Sequence, residues 1–341
     1  MKVTLEDIAR EAKVSKAAVS LVLNEKPCRI SAETQKRILD IAAEKGYKVP
    51  KKRKSKKRAD TKIIGVIYQE LDNFVHVQCM KGIEAQASIY GFDVVACNGG
   101  NNTERSLEYI KTLVKMEVSG IILIPPVDMN ANENNILFDN ALKSSGVDYL
   151  LLDQAINNVF CDFVTSDNRA GACMATEYLI ENGHENIGVI TGIQGVYTTR
   201  KRLEGYRDAL HLHGISFDEK KVYTGNWKKE SGYQAAEYFY SAGVDAIFAM
   251  NDVMALGVYQ YAQEHSLQIG EDISVVGFDY SVECAEITPA LTSIRQEGIL
   301  LGKKACDMLV ERITKAIEGA NRNYYYAPVL IKRDSVKLCQ I

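Results

Sequence analysis

Seven short apolar runs between residues 63 and 279 constrain this chain more than any other feature. They read "IIGVIY", "FDVVAC", "SGIILIP", "DYLLLD", "NIGVITG", "DAIFAM" and "ISVVGFD", with helical segments between them. Continuous rather than alternating hydrophobicity marks a strand buried on both faces, as in a parallel sheet covered by helices. Seven or more strand–helix steps exceed one small sheet, so the expected body is α/β, with two doubly wound parallel-sheet subdomains. "NGG" and "GIQG" lack the spacing of a dinucleotide or phosphate loop and read as turns. No run approaches the roughly 18 apolar residues of a membrane span.

The first 50 residues follow a different pattern. In "VTLEDIAREA", Thr4 and Asp7 stand at capping-box spacing, ahead of Leu5, Ile8, Ala9 and Ala12 on one helical face. After a tight turn, Ser15 can cap a second helix that turns Val19, Val22 and Leu23 inward and Lys16, Ala17, Ser20 and Leu21 outward. Ser31 caps a third, with Ile38, Ile41 and Ala42 inside and Gly46 as its stop. Two short helices joined by a tight turn, with a third beneath, describe an all-α helix-turn-helix head.

Charge divides the chain at the same place. The overall balance is only -3, yet residues 1–62 hold 18 Lys or Arg against 8 Asp or Glu. Such asymmetry is the footprint of a nucleic-acid-binding head on a body with another task. Its densest part is "KKRKSKKR" at 51–58, where seven of eight residues are cationic. Lys51, Lys52, Arg53, Lys54, Lys56 and Lys57 are candidate phosphate contacts, able to add affinity without reading sequence. The same string also fits the pattern of a nuclear-import signal. The eight cysteines are scattered without a Cys-x-x-Cys pair, and the charged N-terminus has no apolar signal region. Both fit a cytoplasmic protein with reduced thiols.

"VTLEDIAREAKVSKAAVSLVLN" resembles the DNA-binding head of the lactose/galactose repressor (LacI) family, and the resemblance extends through "DNRAGACMATEYLIENGHENIGVITG", "RLEGYRDAL", "NDVMALG", "DISVVGFDYS" and "PALTSIRQ". It implies that Thr4, Ser15, Lys16, Ala17, Ser20, Leu21 and Asn24 face DNA. It also implies a body like the periplasmic sugar-binding proteins, with three crossovers, a ligand cleft between the halves, and a homodimer on a pseudo-palindromic operator. The expected divisions are a head at 1–50, a basic hinge at 51–61 and an effector and dimerisation domain at 62–341. Within that domain one subdomain takes about 62–164 plus 298–325, the other about 165–297 plus 326–341. Departures stand at Lys13, where the family has Gly, at Leu21, where it often has Arg, and at the hinge, where Lys57 falls near the leucine slot.

Ligands of such sheets bind where strand carboxyl ends meet loops. Asn73, Arg202, Asn251, Asp252, Asp279 and Gln296 lie at or near such ends, and the resemblance adds Trp227 as an indole wall for a sugar face. Val75 and His76 stand where the family has two aromatics. Asn251 and Asp252 open a helix together, so one of them must cap it. No cofactor or metal is expected, since the five histidines have no metal-ligand spacing. The function expected is a sequence-specific transcriptional regulator, a repressor, controlled by a saccharide or saccharide derivative. A cytosolic sugar-binding enzyme with an accessory DNA-binding head is the alternative.

Overall fold

The computed structural model describes residues 4–23, 30–45, 61–70, 72–131 and 133–337. The chain divides into two compact units, Met1–Asp60 and Thr61–Ile341. Asn24, Gly46 and the basic run at 51–58 lie outside the described residues, and of Ala17 and Ser20 only the helical backbone is described.

The first unit holds α1 (Leu5–Ala12), α2 (Lys16–Leu23) and α3 (Ala32–Glu44). Thr4 caps α1 in a reciprocal capping box with Asp7. Ser15 Oγ accepts from Ala18 N at 3.1 Å. Ile8, Ala12, Val19 and Ile38 are fully buried and form the small core, joined by Ala9, Val22 and Ala42. Lys13 closes α1 in the left-handed conformation, φ 53 and ψ 43. A residue with a Cβ costs on the order of 1 kcal/mol there relative to Gly, which the packed turn tolerates.

The second unit contains two six-stranded sheets. The first takes β1 (Ile63–Tyr68), β2 (Asp93–Asn98), β3 (Gly120–Leu123), β4 (Asp148–Leu152), β5 (Asp162–Ser166) and, much later, β11 (Asn323–Tyr326), in the order β2-β1-β3-β4-β5-β11. The second takes β6 (Ile187–Thr191), β7 (Val222–Thr224), β8 (Ala246–Ala249), β9 (Ser274–Asp279), β10 (Thr292–Arg295) and β12 (Val329–Ile331), in the order β7-β6-β8-β9-β10-β12. All pairings are parallel except β10 with β12. In the first sheet successive residues feed opposite cores. Ile64 and Val66 face one with Leu150, and Ile67 faces the other with Ile121 and Leu151.

Helices α4 (Phe74–Ile89), α5 (Thr103–Lys115) and α6 (Asn134–Ser145) serve the first sheet. Helices α7 (Asn168–Glu181), α8 (Tyr197–Leu212), α9 (Lys229–Ser241), α10 (Asp252–Glu264) and the short α11 (Glu283–Glu286) serve the second. The chain enters the second lobe between β5 and α7, returns between β10 and α12 (Gly298–Ile313), and crosses again between β11 and β12. Three helix pairs pack through glycine. A Cβ on Gly82 would lie 2.1 Å from the Ile299 carbonyl oxygen, and one on Gly302 would lie 2.0 Å from that of Cys79. Gly205 in α8 meets the Arg169 carbonyl, and Gly232 in α9 meets that of Met254, as closely. Any larger residue would force these helices apart, which close-packed interiors do not absorb. Asp162 fastens the β5 end of the first lobe: Arg312 Nη2 reaches it at 2.7 Å and Arg322 Nη2 at 2.6 Å.

Candidate functional site: an interlobe cleft and a helix-turn-helix face

Both sheets present their strand carboxyl ends to one cavity of about 520 Å³. Each has the order in which such ends form a ligand crevice, with chain reversal beside β1 and beside β6. The first lobe contributes Gln69, Asn73, Val75, His76, Asp153 and Gln154; the second contributes Thr198, Arg202, Asn226, Trp227, Asn251 and Asp279, with Gln296 at a crossover. Three of these lining residues hold left-handed backbone: Asp153 at φ 67, Trp227 at φ 69 and Asp279 at φ 110. Such strain in non-glycine residues concentrates at ligand clamps.

Arg202 is the centre of the second lobe's wall. Its side chain is buried on the second turn of α8, where Nε donates to Asn168 Oδ1 at 2.8 Å and Nη1 donates to the Met250 carbonyl. The remaining Nη2 lies 3.6 Å from Asp279 Oδ1. The guanidinium carbon stands 3.7 Å from the Phe278 ring centroid, a cation–π contact under the site. Burial lowers the pKa of Arg202, with the charges of Asp279 and Asp153 opposing. Asp279 itself is pushed up to about 6 by burial, although Arg202 and the Gln296 hydrogen bond favour its charge. On the first lobe, burial would raise Asp153, but the His76 hydrogen bond and the nearby charge of Arg202 help to outweigh it and hold the carboxyl low.

Trp227 leans on the loop after β6. A Cβ on Gly192 would come within 1.8 Å of the indole, so glycine at this position is what lets the ring lie there. Asn251 holds the Trp227 loop after β7: Oδ1 caps α10 by accepting from Met254 N at 2.9 Å, while Nδ2 donates to the Trp227 carbonyl at 3.0 Å. Asn73 caps α4 through His76 N at 3.1 Å. Gly298, at the start of α12, leaves room for Gln78, whose Cβ would lie 2.7 Å from a Cβ there.

One expected residue is corrected. Asp252 does not line the cleft: it is 1% exposed, with Oδ2 accepting from Ser281 N and Oδ1 from Ser293 Oγ, each at 2.7 Å. One helical step past Asn251 turns its side chain toward β9 and β10, so it braces the loop carrying Asp279. Burial and the Asp279 charge push it up to about 7. In turn, Asp153, Gln154 and Thr198 line the cleft and were not among the expected residues. Asp153 ends "DYLLLD", a strand end like the others, so the rule that picks out Asp279 applies to it equally. Gln154 Nε2 donates to Thr198 Oγ1 at 2.9 Å and thereby joins the lobes.

In the first unit Lys16 is exposed and 3.5 Å from Glu6 Oε2, a solvent-facing pair that a phosphate can displace. Leu21 is half-buried, and the hydroxyls of Thr4 and Ser15 serve as caps.

Residues 4–49 match the family model described as bacterial regulatory proteins, lacI family, and residues 176–336 match the periplasmic binding protein-like domain. The HTH-type transcriptional repressor PurR of Pasteurella multocida (strain Pm70) is 31% identical over 337 residues, 98% of each chain. The chain belongs to the LacI family of bacterial regulatory proteins. Among solved structures, the transcriptional regulator CelR in complex with cellobiose is 28% identical, with a TM-score of 0.73 over 98% of this chain and 99% of that one. The lac repressor dimer bound to operator and the anti-inducer ONPF is 27% identical, with a TM-score of 0.72 over 99% and 100%. This LacI-family chain is therefore a DNA-binding transcriptional regulator and not the sugar-binding enzyme that its sequence also allowed. Among the described residues no helix is long and apolar enough to cross a membrane.

Proposed function

We propose that the protein is a homodimeric repressor whose affinity for a pseudo-palindromic operator is set by a saccharide bound between Arg202, Asp279, Gln296, Asp153, His76 and Trp227. One observation carries this most: buried, hydrogen-bonding side chains from two separate sheets converge on one cavity beside an indole face. Aromatic faces take the CH-rich side of a sugar ring, while carboxylates and amides take its hydroxyls. A relative of this architecture holds cellobiose, and another of the family, from Enterococcus faecium, holds ribose. The dimer follows from the head, since one helix-turn-helix contacts few base pairs and two half-sites about one helical turn apart suit a two-fold pair.

Binding energy gained by contacting both lobes favours one interlobe angle, and whatever DNA affinity that angle changes must change ligand affinity by the same factor. The test is a thermal-shift screen of saccharides, followed by titration of DNA with and without each stabilising sugar. A hit that shifts DNA affinity supports this function. Stabilisation with unchanged DNA binding speaks against it, as does a monomer by light scattering.

A further inference from the structure

Three buried polar atoms of the cleft have no hydrogen-bond partner among the described residues: His76 Nδ1, Gln296 Oε1 and Asn101 Oδ1. Of these residues, His76 and Gln296 are more than nine-tenths buried, 3% and 6% exposed. The far side of each group fixes what its free atom can do. His76 Nε2 lies 3.4 Å from Asp153 Oδ2, so in the neutral ring the proton belongs on Nε2, toward the carboxylate, and Nδ1 presents a lone pair. Gln296 gives its amide N–H to Asp279 Oδ1 at 2.7 Å, leaving the carbonyl oxygen as a second acceptor.

Arg202, the cation of the floor, is already partly engaged. Arg202 spends Nε on Asn168 and Nη1 on the Met250 carbonyl, and turns Nη2 toward Asp279. Helix N-termini ordinarily attract anions, but here one amide of each is capped by a side chain. Asn73 accepts from His76 N, Asn251 from Met254 N, and Gln154 Oε1 from Thr198 N at 3.4 Å. Charge runs the same way. Asp153 and Asp279 face Arg202 in the buried floor, while at the mouth exposed Glu70 and Asp72 offset exposed Lys228 and Lys229.

We propose that this cleft selects an uncharged, hydroxyl-rich saccharide and rejects sugar phosphates and sugar acids, with His76 Nδ1 and Gln296 Oε1 each accepting from a ligand hydroxyl. The proposal rests on the saccharide function above and narrows it. A phosphate or carboxylate entering the floor meets these lone pairs and two carboxylates against the single guanidinium that already faces them, so its lost hydration is poorly replaced. A hydroxyl supplies the proton that each acceptor lacks. His76 is thereby a specificity-determining residue, and Asp153 positions it by fixing the tautomer.

The full-length protein is screened by thermal shift and calorimetry against ribose, xylose, glucose, galactose, mannose and cellobiose. Ribose 5-phosphate, glucose 6-phosphate, glucuronate and galacturonate are run beside them. Stabilisation by neutral members, with each charged counterpart binding at least about tenfold more weakly, is the expected result. A phosphate or uronic acid that binds as tightly as its neutral parent overturns the proposal and leaves the saccharide function standing. No stabilisation by any member contradicts the saccharide function itself.

His76→Phe should weaken the best neutral ligand by roughly ten- to a hundredfold, the loss from leaving a ligand hydroxyl unpaired, and should lower the melting point of the free protein because Asp153 loses its buried partner. One monodeoxy form of that sugar should lose affinity for the native protein and lose nothing further against His76→Phe, a coupling that a merely structural histidine does not produce. Gln296→Met carries the same comparison should the first variant not fold. Unchanged affinity in both variants overturns the assignment of these two acceptors.

Discussion

Asn251 and Asp252 are neighbours with unlike tasks, and the difference comes from one step of a helix. Asn251 caps α10 and holds the Trp227 loop, whereas Asp252 is buried against β9 and β10 with its carboxyl pushed up to about 7. A carboxyl whose folded pKa exceeds its unfolded value near 3.8 binds more protons when folded. Stability from this group is therefore greatest in acid and falls as pH rises from about 4 through 7. Asp252→Asn, nearly isosteric, should raise the melting point relative to the native protein, and by more at pH 8 than at pH 5. At alkaline pH the gain is on the order of a few kcal/mol. A difference that does not change with pH would contradict the account of this residue. The sequence places candidate side chains at strand ends but not which way each points. It also does not reveal His76 beside Asp153, because that pairing needs α4 and β4 to be adjacent in space.

At the scale of elements, the strongly apolar strands and the capped head helices were legible because each carries its signal locally. Strands β5, β7, β10, β11 and β12 were not, being short or polar: "DFVTS", "VYT", "TSIR", "NYYY" and "VLI". Thr292 and Ser293 are fully buried in β10 only because Ser335 and Asp252, about 41 to 43 residues distant, satisfy them. No local pattern encodes such a partner. The turn between α1 and α2 was legible, since Lys13 does adopt the positive φ that glycine takes in the family. Lys13→Gly should therefore stabilise the head by roughly 0.5–1 kcal/mol, with the body's transition unmoved. Scanning calorimetry of the full chain reads this directly, and a lower head transition would show that the lysine has a compensating role.

On the scale of the whole molecule, the acidic body and basic N-terminal segment divide the work between ligand and DNA. The run at 51–58 lies outside the described residues, and its charge suits it to phosphates. Changing Lys54, Lys56 and Lys57 to Gln should weaken specific and nonspecific DNA together and reduce the salt slope by up to about 0.9 for each phosphate no longer neutralised. Preference for operator over mutated operator should barely move, because lysines on phosphates position the protein without reading bases. Specificity lost at an unchanged slope would point instead to a hinge that deforms the central base step. The expected coupling of cleft and head can be read from one titration. The DNA affinity of the native protein and of Arg202→Ala is measured on a selected operator, with and without the best neutral saccharide. The account predicts a ligand-dependent shift of about fivefold or more in the native protein and none in Arg202→Ala, whose ligand-free operator affinity stays native. Equal operator affinity in the native protein with saturating sugar and without it would contradict that coupling.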